Sequence, residues 1–216
     1  MTVAGRTVLI AGATSVAGRA VAAALVDAGA RVVSVGTNSE RLAAVRSSRP
    51  EIVTELTDLT DEGAVRELAT RVHENVGPVD GLIHLVGGWR GGGGLAGQSD
   101  EDYRALERSF TALRFGSRAF YDDLVGSDAG RLAIVSAAAV LHPTPGGANY
   151  VAVKAASEAW THAVAAGFRK ASPGSAAVIY RVKALAGLEG DLAASVVGLW
   201  NADAATLNDS EIALGE

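Results

Sequence analysis

The chain has 216 residues, 49% of them apolar, and a formal net charge of −5, with 19 Lys and Arg against 24 Asp and Glu. That length suits one domain with a sizeable core, and the mild acidity argues against a nucleic-acid backbone or an anionic membrane as the main partner. With Cys 0, disulfides and thiolate metal sites are excluded. The histidines, His73, His84, His142 and His162, lack ligand-like spacing, so no structural metal is expected. No apolar run reaches the roughly 18–20 residues of a membrane span. Met1 to Gly12 lacks the basic-then-apolar pattern of a signal peptide, so a cytoplasmic location is expected.

Apolar runs alternate with helical patterns along the chain. Thr7–Ala11 reads as a strand buried on both faces. Val16–Ala28 follows with helical spacing and stops at Gly29. Arg31–Val35 is a second strand, and Asn38 or Ser39 can cap a helix through Val45. Glu51–Leu56 reads as a third strand, and Thr60 and Asp61 open a helix toward Asn75, broken by Gly77–Pro78. Gly81–Val86 is a fourth strand, and one long helix is expected over Asp100–Leu124. Arg131–Ser136 is a fifth strand, Gly147–Ala171 a helix and Ala176–Val182 a sixth strand. A helical pattern over Asp191–Asn201 follows, and Glu211–Leu214 can form a short seventh strand at a sheet edge or an oligomer contact.

Strands alternating with helices of this length imply βαβ units. The expected fold is α/β: one Rossmann-type domain over residues 1–216, a doubly wound parallel sheet of six or seven strands with helices on both faces. Ligands of such sheets bind beyond the carboxyl ends of the strands, near the switch in strand order. The glycine-rich stretch Gly87–Gly97 falls just after the fourth strand and reads either as a plain connection or as a lid beside the site.

Two features carry chemistry. The turn Gly12-Ala13-Thr14-Ser15-Val16-Ala17-Gly18 joins the first strand to the first helix. Glycine permits close backbone approach to a phosphate, and a helix N-terminus offers N–H groups and a positive dipole end. Thr14 and Ser15 can bind phosphate or cap the helix. The second feature is Tyr150 and Lys154, four residues apart and therefore on one helical face. An ammonium beside a phenol lowers its pKa and helps it exchange a proton near neutral pH. Taken alone, a tyrosine and lysine at this spacing are usually just a solvated helix face.

The chain resembles the short-chain dehydrogenase/reductase superfamily over nearly its whole length. The matching pieces are the Gly12–Gly18 turn, Asp58 within LTDLTD, GPVDGLIHLVGG at the fourth strand, GRLAIVSAAA at the fifth, Tyr150-Val-Ala-Val-Lys154, and RVKALAG after the sixth. The resemblance implies a nicotinamide dinucleotide whose pyrophosphate lies on the Gly12–Gly18 turn, with Asp58 and the Leu59 backbone at the adenine ring. Val86, Gly87 and Gly88 would line the adenine ribose. Tyr150 would be the general acid/base toward a carbonyl or alcohol, and Lys154 would bind the nicotinamide ribose.

The chain also departs from the family pattern. Val16 stands where a glycine is usual, and His84-Leu85-Val86-Gly87 replaces Asn-Asn-Ala-Gly. His84 reads as a substitute for a hydrogen-bonding asparagine. Ala137 occupies the position of the catalytic serine, thirteen residues before Tyr150. Ser136 is adjacent and is the candidate replacement, with His142 or a water as alternatives. No asparagine falls near Ser109–Phe110, where the family has a proton-relay asparagine. After the sixth strand Gly187 lacks its preceding proline, and only Leu188–Gly190 separates it from the next helical pattern. So short a covering segment leaves the site open, which suits a bulky or carrier-bound substrate.

Gly36-Thr37-Asn38 after the second strand holds no acid to repel a 2′-phosphate, and Arg41 is nearby, so NADP is favoured over NAD. Two functions follow. One is hydride transfer between NADP or NAD and a carbonyl/alcohol pair. The other is dinucleotide binding without redox turnover, as a sensor, partner subunit or scaffold. The family pairs its equivalent helices across a two-fold axis, so the apolar residues Leu106, Phe110, Leu113, Val151, Trp160 and Val164 imply a homodimer or homotetramer.

Overall fold

The continuous apolar runs become the central strands, covered on both faces, and two partly exposed strands close the edges of the sheet. In the computed structural model, which describes residues 2–215, these are β1 (Thr7–Ala11), β2 (Arg31–Gly36), β3 (Val53–Leu56), β4 (Gly81–His84), β5 (Arg131–Ala137), β6 (Ala176–Val182) and β7 (Ser210–Ala213). They form one all-parallel sheet in the order β3-β2-β1-β4-β5-β6-β7. The order reverses between β1 and β4, where Val8 pairs with Gly81 and Ala11 with His84. Side chains alternate across each strand. Val8 and Ile10 join one apolar cluster, and Leu9 and Ala11 join the other.

The helices supply the two covers. The first cluster takes residues of α1 (Val16–Asp27) and α7 (Glu189–Gly198), and Val45 of α2 (Ser39–Ser48). The second takes α3 (Glu62–Asn75), α4 (Asp100–Ala119), α5 (Tyr121–Gly126) and α6 (Ala148–Ala171). Side chains cap several starts as the sequence suggests. Ser15 accepts from Gly18 N at 2.9 Å, Asn38 from Arg41 N at 2.8 Å, and Asp61 from Gly63 N at 2.8 Å and Ala64 N at 3.0 Å. No helix among the described residues is long and apolar enough to cross a membrane.

Some boundaries differ from expectation. The expected helix Asp100–Leu124 is two helices, because the chain turns at Phe120. The turn buries Phe120 fully and lets the next residue, Tyr121, stack on Phe168 of α6 at 5.6 Å between ring centroids. A continuous helix rotates neighbouring side chains about 100° apart, which would draw one of these rings off the core. β3 starts at Val53 and β4 stops at His84, so Leu85 and Val86 are free to shape the loop beyond the sheet. The helix expected over Asp191–Asn201 is α7, which starts and stops earlier. A four-residue helix, α8 (Ala204–Leu207), precedes β7 and has no clear apolar period to announce it.

Trp200 closes the amino-terminal side of the sheet. It is fully buried, its Nε1 donates to the Ala129 carbonyl at 3.0 Å, and its ring lies against Gly81, where a Cβ would come within 2.7 Å of it. Trp200→Ala is expected to cost about 3–5 kcal/mol through the cavity and the orphaned carbonyl. Urea unfolding should show a lower midpoint with an unchanged slope.

Candidate active site

The carboxyl ends of β1 and β4 are brought together by glycine. Gly12 has φ +83°, and a Cβ there would lie 2.8 Å from the Leu85 carbonyl carbon and 2.9 Å from Val86 N. The Gly12–Gly18 turn therefore packs backbone against backbone at the switch in strand order. A Cβ on Gly18 would lie 2.5 Å from the Gly12 carbonyl oxygen, so α1 can start this close to β1 only with glycine there. Ser15 is used for capping: its hydroxyl donates to Gly12 O at 3.0 Å and accepts from Gly18 N. Val16, which stands where the family has glycine, projects outward and is largely exposed at the cavity wall.

Two hollows meet at this edge. The larger, about 800 Å³, is lined by Ser15, Val16, Ala17, Val86, Gly87, Gly88, Ser136, Tyr150 and Lys154 among others. The smaller, about 200 Å³, is lined by Gly12, Thr14, Thr37, Asp58, Leu59 and Val86. Val86 borders both. Nearly every residue singled out in the sequence thus falls on one groove. Gly18 lies buried beneath the turn, and Asn38 uses its side chain to cap α2.

Asp58 is more committed than the sequence suggests. Its Oδ1 accepts from the Thr60 amide at 2.9 Å and hydroxyl at 2.7 Å, and its Oδ2 from Arg108 at 2.8 Å. These bonds hold its carboxyl below the ordinary carboxylate range, the Thr60 hydroxyl contributing most. Arg108 of α4 also lines the smaller hollow. It reads as one more charge on a helix face, and nothing local in the sequence points to it.

Tyr150 and Lys154 both face the larger hollow from α6. Lys154 Nζ donates to the Val135 carbonyl at 2.7 Å and lies 5.9 Å from the centre of the Tyr150 ring. Burial pushes the lysine down to about 8, opposed by the charge of Glu158. Burial also pushes the Tyr150 phenol above its ordinary value. The ammonium was expected to lower the phenol, but it is turned toward Val135 and desolvation decides the direction. The phenol is therefore protonated at neutral pH.

Ser136 does not offer its hydroxyl to the cavity. The hydroxyl donates to Glu158 Oε1 at 2.5 Å, and the residue is buried. Successive strand residues point to opposite faces; Ala137, the next residue, ends β5 on the cavity wall. His142 is exposed beyond β5. Glu158 and its buried partner Arg181, at 3.2 Å, have no local signal in the sequence, because only the fold brings α6 and β6 together. His84 is buried in the wall of the larger hollow. Burial and the nearby Lys154 charge push its pKa down to about 3, against a hydrogen bond to the Ser109 backbone.

The glycine-rich loop beyond β4 folds over toward the start of α6. Gly92 N donates to Gly146 O at 2.8 Å. Gln98 Nε2 reaches the carbonyls of Gly92 at 3.0 Å, Gly94 at 3.2 Å and Gly146 at 3.1 Å, while its Oε1 accepts from Asn149 N at 3.1 Å. One amide side chain thus fastens the loop to the segment that carries Tyr150. Trp89, in the same loop, lines the cavity and is largely exposed.

The sequence profile described as short chain dehydrogenase matches residues 6–172. A 3beta-hydroxysteroid dehydrogenase of Mediterraneibacter gnavus is 32% identical over 162 residues, which cover 73% of this chain and 58% of that protein. A 2,3-dihydro-2,3-dihydroxybenzoate dehydrogenase of Bacillus subtilis is 29% identical over 162 residues, covering 73% of this chain and 62% of that one. The chain therefore spans only a little over half the length of these curated relatives. Among solved structures, a gluconate 5-dehydrogenase from Burkholderia cenocepacia in complex with NADP and tartrate superposes with a TM-score of 0.84 at 21% identity, covering 98% of this chain and 94% of that one. A metagenomic short-chain oxidoreductase in complex with NADP superposes with a TM-score of 0.86 at 23% identity, covering 100% of both chains. At these identities the likeness to the solved structures is one of fold.

The buried His84 has a consequence for acid stability. Its folded-state pKa, about 3, lies below the unfolded value of 6.5, so the unfolded state takes up the proton first as pH falls. The stability present above pH 6.5 should be lost progressively toward pH 3, at up to about 1.4 kcal/mol per pH unit. His84→Asn is expected to flatten this slope, measured as the difference between urea unfolding free energies at pH 7.5 and pH 5.

Proposed function

The chain belongs to the short-chain dehydrogenase family, and from that premise we propose that it is an NAD(P)-dependent oxidoreductase acting on the carbonyl or alcohol carbon of a small or carrier-bound substrate. One observation carries the reading. Tyr150 and Lys154 stand one helical turn apart in the wall of a cavity that also contains the first turn of α1.

The groove fits a dinucleotide on its own geometry. The Gly12–Leu85 contact keeps side chains out of the seam between the two hollows, and the first turn of α1 presents N–H groups and a positive dipole end at the cavity wall. The Gly12–Gly18 turn would hold the pyrophosphate, with Thr14, Ser15, Val16 and Ala17 around it. Thr37 and Asn38 would meet the adenine ribose, Asp58 and Leu59 the adenine ring, and Val86, Gly87 and Gly88 the floor of the groove. The nicotinamide supplies or accepts hydride when bound. NADP is favoured over NAD by the absence of an acid in Gly36-Thr37-Asn38 and by the exposed Arg41.

In this reading the half-buried Tyr150 phenol, protonated at neutral pH, donates to the substrate oxygen as it gains negative charge, which favours carbonyl reduction. Lys154 holds its ammonium against Val135 and stands ready for a ribose hydroxyl. Ser136 is withdrawn from the catalytic set because Glu158 occupies its hydroxyl. Ala137 then leaves the substrate oxygen one donor short of the family pattern. Such a missing donor lowers rate by about 10²–10³, and slow turnover or binding without turnover are the two consequences to separate. The half-buried Phe110, Trp160 and Val164 of α4 and α6 suit a homodimer or homotetramer, and light scattering of the purified protein would report it.

Three outcomes test the proposal. Calorimetric titration should show binding of NADPH more tightly than NADH; absence of both would end the dinucleotide reading. Across a panel of carbonyl substrates, Tyr150→Phe should lower kcat by about 10²–10⁴ with cofactor affinity retained. Ala137→Ser should raise kcat by up to about 10² by returning the donor. Cofactor binding with no turnover in either the natural chain or Ala137→Ser would favour the sensor, subunit or scaffold function instead.

A further inference from the structure

Tyr150, Lys154 and Glu158 occupy successive turns on one face of α6. Tyr150 and Lys154 line the cavity, whereas Glu158 lies one turn deeper and is almost wholly buried. Burying a carboxylate is costly unless it is paired and hydrogen-bonded. Here Ser136 Oγ donates to Oε1 at 2.5 Å, and Arg181 NH2 donates to Oε2 at 3.3 Å. Arg181 in turn reaches Glu211 of β7 at 2.8 Å, near the sheet edge. The chain of contacts runs from the reactive end of α6, across β5 and β6, to the last strand.

We infer that Glu158 is a positioning residue for Lys154. It pins Ser136, so that the adjacent Val135 carbonyl stays beneath the ammonium, and it supplies the negative charge that keeps this buried ammonium protonated. The inference rests on the reading of Tyr150 and Lys154 as the reactive pair. Its first half follows from β5: Val135 O accepts from Lys154, and the next residue along the strand is tied to Glu158. Its second half follows from the surroundings of Nζ. From α6 it faces Tyr150 and Glu158, from β4 the neutral His84, and from β5 only a carbonyl; from β6 Arg181 stands behind Glu158, and from β7 Glu211 stands behind Arg181. Lys183, beyond β6, and Glu189, at the start of α7, border the same cavity with opposite charges, and Glu189 accepts from the Gly187 amide at 2.9 Å. Glu158 is the anion among these that acts directly on the lysine.

The arrangement also accounts for Ser136. A serine beside the family's catalytic position is not a displaced catalyst here. It is a ligand of the buried carboxylate.

The test reads the lysine directly and needs no substrate. Lys154 is labelled with trace acetic anhydride across pH 6–10 and its acetylation followed by peptide mass spectrometry. Glu158→Gln should move the Lys154 titration down by about one pH unit, leaving about fivefold more neutral amine at pH 7 than the natural chain. Glu158→Asp should restore most of the difference. Ser136→Ala, which keeps the carboxylate, should change the titration far less. If Glu158→Gln does not fold, Glu158→Gln with Arg181→Met removes the whole buried pair and supplies the same reading, since such pairs are often replaceable by apolar groups. A Lys154 titration unchanged in the folded variant overturns the inference. Failure of the oxidoreductase reading is seen separately, as absence of NADPH-dependent turnover in the natural chain with the Lys154 difference intact.

Discussion

A parallel sheet covered on both faces is the constraint from which the rest of the molecule follows. Val8 and Ile10 need one helical layer, Leu9 and Ala11 the other. Every strand must therefore be followed by a crossover, and polar groups are driven out of the middle to the strand ends. At the amino-terminal side that pressure is met by buried structure: Trp200 bonded to Ala129, and Arg131 spread over the carbonyls of Leu199, Gly130 and Gly174. At the carboxyl side it yields an open groove, because the chain leaves β1 toward β2 and leaves β4 toward β5, on opposite sides of the pair. Glycine at position 12 then lets the two loops meet without a side chain between them.

The groove's electrostatics follow from the same burial. Three titratable groups lie within it or against it, and water reaches them poorly. His84 is held neutral, Tyr150 is held protonated, and Lys154 is brought toward neutrality. All three shifts have desolvation as their leading cause. The carboxylate that opposes the lysine's shift is itself buried, and it is tolerated because Ser136 and Arg181 satisfy it. The charges at this edge are thus set by the packing of α6 on β5 and β6.

The strands were legible because a doubly covered strand must be apolar throughout, and TVLIA or AAVIYRV can hardly serve another purpose. The Gly12–Gly18 turn and the Tyr150–Lys154 spacing were legible because each is a local geometry. The break at Phe120 was not, since apolar spacing runs through it and only the Tyr121–Phe168 stacking explains the turn. Nor was the fate of Ser136: its partner lies 22 residues away, and the strand's alternation fixes its direction only once the end of β5 is known. Arg108 and Arg181 are ordinary charges in the sequence, and distant partners give them their places.

The loop after β4 is fastened in an unusual way, and this bears on how the protein can change over generations. Gln98 binds carbonyl oxygens, which every residue carries, so side-chain changes at the loop's non-glycine positions leave the latch's partners in place. The loop's glycines are more tightly held: a Cβ on Gly91 would collide with the Gly146 carbonyl and one on Gly97 with the Gly93 backbone, and Gly92, Gly93 and Gly94 have positive φ. The exposed rim positions between these glycines, Trp89 and Leu95, can therefore change in size and polarity while the attachment to the segment before Tyr150 persists. New substrates can be explored at the mouth of the site with little cost to the sheet beneath it.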